Sequence, residues 1–485
     1  MIHIDQPPQN IRSLKSDCLS YAEVIAQSIS VIAPSTVPAA VLGLIFAAAG
    51  NGTWLSFVLA MAGLVFVSFN INQFARRSAS PGSLYTYTVK GLGATAGVLG
   101  GWSLLFGYAL TGMSTLCGFA IFARMLLLTL GIHTQILTLF AAGVLVSYCV
   151  AYKDIQLSAK MMLLFEGASL FVILLLAIII WVQKSFAVDT AQLTLEGATP
   201  GGVLTGIVLV VFGFSGFESS TSLGDEAKDP LRTIPRSLIQ STVLSGVFFI
   251  FTAYVIVLAF KGSGVNLGKT EAPLDVMASR TGLGFLGILI NIGALLSFFS
   301  CTLACINSTA RIVFSMARHG LFHDALGEAH EKNETPHIAV GLSALVTFLV
   351  PAVAYLCGVP VFDSQGYFGT LSSLGFLLVY ILVSIAAPVY LRKMGKLRSL
   401  DLLYSALGVG FMILPILGTV GIPGSRLFPS PPFPNNLLVW LFVAYMAAGL
   451  AWLLLQKARS PKLIHTMKIS IEKIHLKFGD VKNVS

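Results

Sequence analysis

Apolar stretches of about 20 residues recur along the whole chain, and this restricts its fold more than any other feature. A helix rises about 1.5 Å per residue, so roughly 20 residues cross a bilayer core. Within lipid the backbone N–H and C=O groups must pair with each other, which an α-helix achieves segment by segment. Six stretches lie near 20–48, 53–75, 95–128, 135–151, 158–183 and 200–222. Six more lie near 236–260, 283–314, 336–356, 366–391, 402–422 and 436–456. The expected fold class is therefore an all-α polytopic membrane protein with 12 transmembrane spans. Only 11% of the residues are charged, against about 25% in soluble domains. Lipid, not water, solvates most of such a surface.

The net charge of +9 suggests nucleic acid until its distribution is examined. With a cytoplasmic N-terminus, 24 of the 30 Lys and Arg residues fall in inside segments and five in outside loops. That asymmetry is the positive-inside bias, and it places both termini in the cytoplasm, with the cell membrane as the expected location. The start, "MIHIDQPPQN", lacks the layout of a cleavable signal peptide, so the first span is expected to act as the insertion signal. The six cysteines lack the pairing of a secreted scaffold and read as small apolar packers.

The spacing of the spans contains a repeat. Spans 1 to 3 begin about 180 to 190 residues before spans 6 to 8, and spans 4 and 5 precede 9 and 10 by about 200. Five is an odd number, so the second copy enters from the opposite face, giving a 5+5 inverted repeat. In such folds the binding site lies where the repeats meet, at a pair of interrupted helices in corresponding positions. Span 1 contains "SISVIAPSTVPAAVLG" and span 6 contains "VVFGFSGFESS". Pro34 and Pro38 lack an N–H, so the carbonyls of Ser30 and Pro34 lose helical partners. Beyond Pro34 a half-helix can begin whose first amides, at Ser35, Thr36 and Val37, suit a carboxylate. Gly213 and Gly216 permit unwinding, freeing carbonyls from Phe212 to Ser215 for an ammonium. An amino acid offers both groups. Simple kinking of the two helices is the alternative reading.

"GFSGFESSTSLGDEAKDPLRTIPRSLI" (213–239) resembles the sixth-helix signature of the amino acid–polyamine–organocation superfamily. "RRSASPGSLYTYTVKGLG" (76–93), "STARIVFSMARHGLF" (308–322) and "LSSLGFLLVYILVSIAAPVYLR" (371–392) are similar to further segments of that family. The resemblance implies a 5+5 core, two peripheral helices and alternating-access transport of amino acids or, alternatively, polyamines and other organic amines. It matches Phe212, Phe214, Ser215 and Gly216 to substrate-lining positions, with Phe212 as an aromatic gate. It matches Glu218 to a carboxylate tied to helix packing and, in some members, to proton-linked gating. Many members carry a glycine–serine–glycine break in span 1, whereas "IAPST" stands here. Ala33 and Pro34 remove flexibility and a donor, and the Ser35 and Thr36 hydroxyls offer replacements.

A carboxylate at mid-helix costs roughly 2.5–3.5 kcal/mol on insertion scales, so Glu218 either braces freed backbone or titrates. Glu166 in span 5 raises the same choice, and the sequence names no partner for it. Ser297, Ser300 and Thr302 of span 8, with the carbonyls of Ser30 and Pro34, are a candidate sodium site; helix–helix hydrogen bonding is the competing use. The expected driving force is an ion gradient, with H+ or Na+ as the candidate coupling ion, or exchange. "GLGATAG" (91–97) lacks the strand and spacing of a nucleotide loop, and His319 and His323 lack a third metal ligand. No cofactor is expected, nor a catalytic cluster, nor the continuous polar lining of a channel. The tail "KLIHTMKISIEKIHLKFGD" carries Leu463, Met467, Ile471, Ile474 and Phe478 at helical spacing among Lys462, Lys468, Lys473 and Lys477, which suits an anionic leaflet or a disordered tail. The expected division is a cytoplasmic tail at 1–18, a transport core at 19–392, peripheral helices at 402–456 and a basic cytoplasmic tail at 457–485. Cysteine labelling in intact cells tests the topology: 76–90 and 223–236 should react only from the cytoplasm, and 261–282 only from outside. Labelling of position 80 from outside alone excludes this arrangement.

Overall fold

The computed structural model describes residues 13–270, 273–280, 282, 284–425, 427–460, 467 and 469–471. Its helices are α1 Tyr21–Ile32, α2 Leu42–Ala49, α3 Thr53–Ala75, α4 Ser83–Leu92, α5 Ala94–Thr129, α6 Ile136–Lys153, α7 Ile155–Gln183 and α8 Thr190–Leu193. They continue as α9 Pro200–Phe214, α10 Pro230–Phe260, α11 Pro273–Arg280, α12 Gly284–Arg318, α13 His337–Leu356, α14 Val361–Lys393, α15 Ser399–Val420 and α16 Asn435–Arg459. Among the described residues the β contacts reduce to one parallel bridge between Leu19 and Ala227.

Eleven helical runs are long and apolar enough to cross a membrane, and the first, Tyr21–Ala75, has 55 residues. That is more than twice one crossing. Its two ends lie on the same face: Leu19 bridges Ala227, and the Asn72 amide donates to the Pro235 carbonyl. Between them, at Gly50–Gly52, the chain turns at the opposite face, where Asn51 and Trp54 donate to the carbonyls of Glu196 and Gln192. Counted as two crossings, the run raises the total to the twelve that hydropathy predicts.

One face gathers the basic segments. Lys15 lies beside Gln156 and Asp154, Lys393 donates to the Gly91 carbonyl, and Lys457 donates to Thr95. On the opposite face the Asp189 carboxylate accepts from Lys261 at 2.6 Å, while the Asp189 amide donates to Tyr254. In the centre α5 and α14 meet at their glycines: a side chain at Gly375 would stand 2.8 Å from the Ser103 carbonyl oxygen. Small residues permit such contact, and close packing is what holds helices together in lipid. On the outer side of this pair lies α16, with Trp102 stacked 5.2 Å from Tyr445 and 5.3 Å from Trp452. α15 packs on α3, where Asn70 donates to the Tyr404 carbonyl.

The two interrupted segments run antiparallel. Val37 faces Gly213, Val31 faces Gly216, and the Gln27 carbonyl accepts from Ser219. This is the course expected of two halves that enter from opposite faces. In the tail, Met467 and Ile471 are buried, and Tyr85 donates to the Met467 sulfur at 3.3 Å. Leu463, Ile474, Phe478, Lys462, Lys468, Lys473, Lys477 and most of the 1–18 tail lie outside the described residues.

On the basic face, Arg311 of α12 grips Glu226 through two bonds, Nε to Oε2 at 2.7 Å and Nη2 to Oε1 at 2.6 Å. Both side chains are fully buried. The Glu226 carbonyl also accepts from the amides of Cys18 and Leu19, so the pair ties the N-terminal strap to α12. Removing one partner of a buried ion pair strands a charge, which costs about 3–5 kcal/mol. Arg311→Met should therefore lower the thermal unfolding midpoint sharply, and adding Glu226→Gln should recover most of the loss. Equal midpoints for the single and double variants show that the two charges do not act as a pair.

Candidate functional site

The residue before a proline is kept out of the right-handed helical region. Ala33, which precedes Pro34, takes a left-handed conformation at φ 46°, and α1 stops there. For a residue with a Cβ that conformation costs about 1–2 kcal/mol, so surrounding contacts must hold it. Two of them come from Thr36, whose amide and hydroxyl both donate to the Ala33 carbonyl, at 3.0 and 2.8 Å. The chain resumes as a wide turn over Val37–Val41 and then as α2. The new helix thus starts later than the prolines suggest, and the Thr36 amide is already engaged.

α9 ends at Phe214, and the chain unwinds over the next four residues before a 3-10 turn at Ser219–Leu223. The two glycines here differ in role. Gly216 adopts φ +88°, which L-residues rarely reach, and a Cβ on it would collide with Val31. Gly213 remains helical, and a Cβ on it would stand 2.7 Å from Val37. It admits the neighbouring broken helix and takes no part in the unwinding.

The freed backbone is held by Glu218, which is fully buried. Tyr108 of α5 donates to Oε1 at 2.7 Å, and Tyr380 of α14 donates to Oε2. The same Tyr380 oxygen accepts the Gly216 amide at 2.9 Å. An N–H that would be orphaned in lipid is thus connected through one phenol to a carboxylate, and two helices are fastened to the break.

Beside the two breaks lies a cavity of about 460 Å³, within the size range of small-molecule sites. Ala33, Thr36, Phe212, Gly213 and Ser215 line it. Pro34, Ser35, Phe214 and Gly216 do not: Phe214 points away, its ring edge-on to Phe249 of α10 at 5.0 Å. Ser35 is buried with its hydroxyl unpartnered. Phe212 lies over Gly369 of α14. The candidate sodium ligands do not converge on one point. Ser300 donates to Ser30 at 2.9 Å, but Ser297 donates to Glu166 of α7, and Thr302 meets Thr115 of α5.

Sequence reasoning missed the far walls: Thr111, Ser114 and Thr115 of α5, and Ser372, Ser373 and Leu377 of α14. The signal on α5 was hydroxyls three and four apart in an otherwise apolar helix, and on α14 the adjacent Ser372 and Ser373. The cavity extends past Leu44, Phe362 and Asn435 towards the face opposite the basic one. Towards the basic face it is sealed: the Ser220 amide donates to Ser28, Ser237 donates to Ser220, and Gln27 donates to Ser308.

Leaving a buried polar group unpaired costs about 1–3 kcal/mol. Tyr108→Phe removes one donor from Glu218; Tyr380→Phe removes the other and also strands the Gly216 amide. Tyr380→Phe should therefore lower thermal stability in detergent about twice as far. Equal losses show that the amide bond contributes nothing.

A profile for the amino acid permease family matches residues 23–422. The branched-chain amino acid permease BcaP of Bacillus subtilis is 25% identical over 364 residues, covering 71% of this chain and 75% of its own. The low-affinity putrescine importer PlaP of Escherichia coli K12 is 26% identical over 314 residues, covering 62% of this chain and 66% of its own. The methylthioribose transporter of B. subtilis is 23% identical over 368 residues, covering 72% and 76%. With four fifths of its length matched and its paired helix breaks facing one cavity, this chain belongs to the amino acid permease family, within the amino acid–polyamine–organocation superfamily.

Proposed function

We propose that the chain carries neutral amino acids with apolar side chains across the cell membrane by alternating access, driven by an ion gradient or by exchange. Family membership already makes it an integral membrane transporter of amino acids or amines, not an enzyme. The narrower reading rests on one observation: among the described residues, no Asp, Glu, Lys, Arg or His lines the cavity.

A zwitterion needs no charged side chain there. Its ammonium can face the carbonyls of Gly213 and Ser215, and its carboxylate the first-helix break at Ala33 and Thr36, which line the cavity. Val31, Val211, Phe212 and Leu377 offer its side chain an apolar wall. Putrescine would bury an ammonium at each end with no carboxylate to meet either, and an unpaired buried ion costs several kcal/mol. The cavity chemistry accords with the relative named as a branched-chain permease better than with the putrescine importer. The positive-inside bias supports a cytoplasmic basic face, which makes the sealed side the inner one and the cavity outward-facing.

Uptake of labelled L-leucine into proteoliposomes tests the substrate class. L-Isoleucine and L-valine should compete, and putrescine at the same concentration should not. Stronger competition by putrescine than by isoleucine overturns the assignment. Phe212→Ala should raise the leucine KM about tenfold, roughly 1.4 kcal/mol of lost contact, with little change in the fold.

A further inference from the structure

We propose that Glu166, behind α12 as seen from the cavity, is the carboxyl that takes up and releases a coupling proton. The proposal rests on the transport reading above. Along α7, Met162, Glu166, Ser169 and Ile173 form the buried face, while Leu164 and Phe171 face lipid. Glu166 is only 2% exposed. Ser297 of α12 donates to its Oε1 at 2.8 Å, and Oε2 has no partner. One turn along α7 the Ser169 hydroxyl is also buried and unpartnered. Gly293 leaves room for it: a Cβ there would stand 3.1 Å from the Ser169 oxygen.

The contrast with Glu218 is chemical. Both oxygens of Glu218 already accept from phenols. Glu166 has an oxygen free to carry a proton. Its charged form has no counter-ion, and a buried unpaired carboxylate is strongly disfavoured. Gain and loss of the proton must therefore accompany a change in its surroundings.

The helices packed on α7 are α1, α6, α10 and α12. Their titratable groups are engaged elsewhere or stand at the helix ends. Glu23 of α1 accepts from Ser20, Arg236 of α10 lies over Tyr21, and Lys153 ends α6. Cys301 of α12 donates to the Val31 carbonyl at 3.3 Å, and Lys160 of α7 itself is exposed. Among the described residues none forms an ion pair with Glu166.

The proton site is mechanically linked to the cavity. Ser297 and Ser300 are one turn apart on α12, Ser300 donates to Ser30, and Cys301 holds Val31, which lines the cavity. Movement of α1 against α12 on substrate binding displaces one wall of the Glu166 site. One proton enters on Oε2 from one side of the membrane and leaves to the other, restoring the carboxylate each cycle.

Purified full-length protein in proteoliposomes loaded with pyranine tests this, with labelled L-leucine as the probe. Wild-type influx should rise several-fold under an inward proton gradient and acidify the lumen. Glu166→Gln, nearly isosteric, should keep leucine–leucine exchange within about twofold and lose both gradient responses. Retention of both responses by Glu166→Gln overturns the proposal. A substrate-free infrared titration between about pH 5 and pH 9 decides the matter even if leucine is not carried. A carboxylic-acid carbonyl band that responds to pH in wild type and is absent from Glu166→Gln supports the assignment. No pH-responsive band attributable to Glu166 overturns it.

Discussion

An unwound helix inside a bilayer must find partners for its backbone, and the Gly216 amide finds one in the Tyr380 hydroxyl. Much of the central architecture follows from that bond. The phenol that accepts an amide needs an acceptor for its own proton, and Glu218 provides it. A buried carboxylate needs a second donor, and Tyr108 provides that from α5. These two tyrosines sit on the helices whose glycines bring them into backbone contact. The break, the carboxylate and the tight α5–α14 pair are one structural unit. The cavity forms beside it because this unit fixes the positions of three of its walls.

The seal on the basic face is of two kinds. Between the broken segments it consists of hydroxyl and amide contacts, such as Ser220 to Ser28 and Gln27 to Ser308. Hydrogen bonds between membrane helices average about 0.6 kcal/mol, so several can be exchanged for water without a large barrier. Outside them lies the Arg311–Glu226 pair, whose separation is costly while dry. Water entering from that face would lower the cost, since hydrated charges attract far less strongly. In the proposed alternating-access cycle, the hydroxyl layer therefore suits a surface that slides, and the ion pair suits a latch that opens once wet.

Much of this was legible in the sequence because hydropathy and helix breaking are local properties. The twelve crossings, the two interruptions and the charge bias each depend on short windows. What a given glycine does is not local. Gly213 and Gly216 look alike in sequence, yet one admits Val37 and the other bends the chain to φ +88°. Side-chain direction was partly accessible: positions two apart on a helix point about 200° apart. Phe212 and Phe214 thus cannot both face the cavity while α9 stays regular through Phe214. The same geometry sends Thr302 away from Ser300. The partner of Glu166 was invisible because it lies 131 positions away, on a helix whose rotation only packing defines.

Glu166, Glu218 and Glu226, each at most 2% exposed, occupy three electrostatic situations. Glu226 has a guanidinium, Glu218 has two phenols, and Glu166 has a single hydroxyl. None of them lines the cavity. A substrate bound there as proposed would have its charges met by backbone dipoles and hydroxyls, whose strength does not vary with pH. In the proposed cycle, recognition and coupling are in this way assigned to different atoms. A titrating carboxylate in the cavity would make affinity itself follow the proton concentration on whichever side was open. Placed behind α12, the proposed proton would act through the Ser300–Ser30 and Cys301–Val31 contacts. It would bias the position of α1, and so the side to which the site opens, without changing what the site binds.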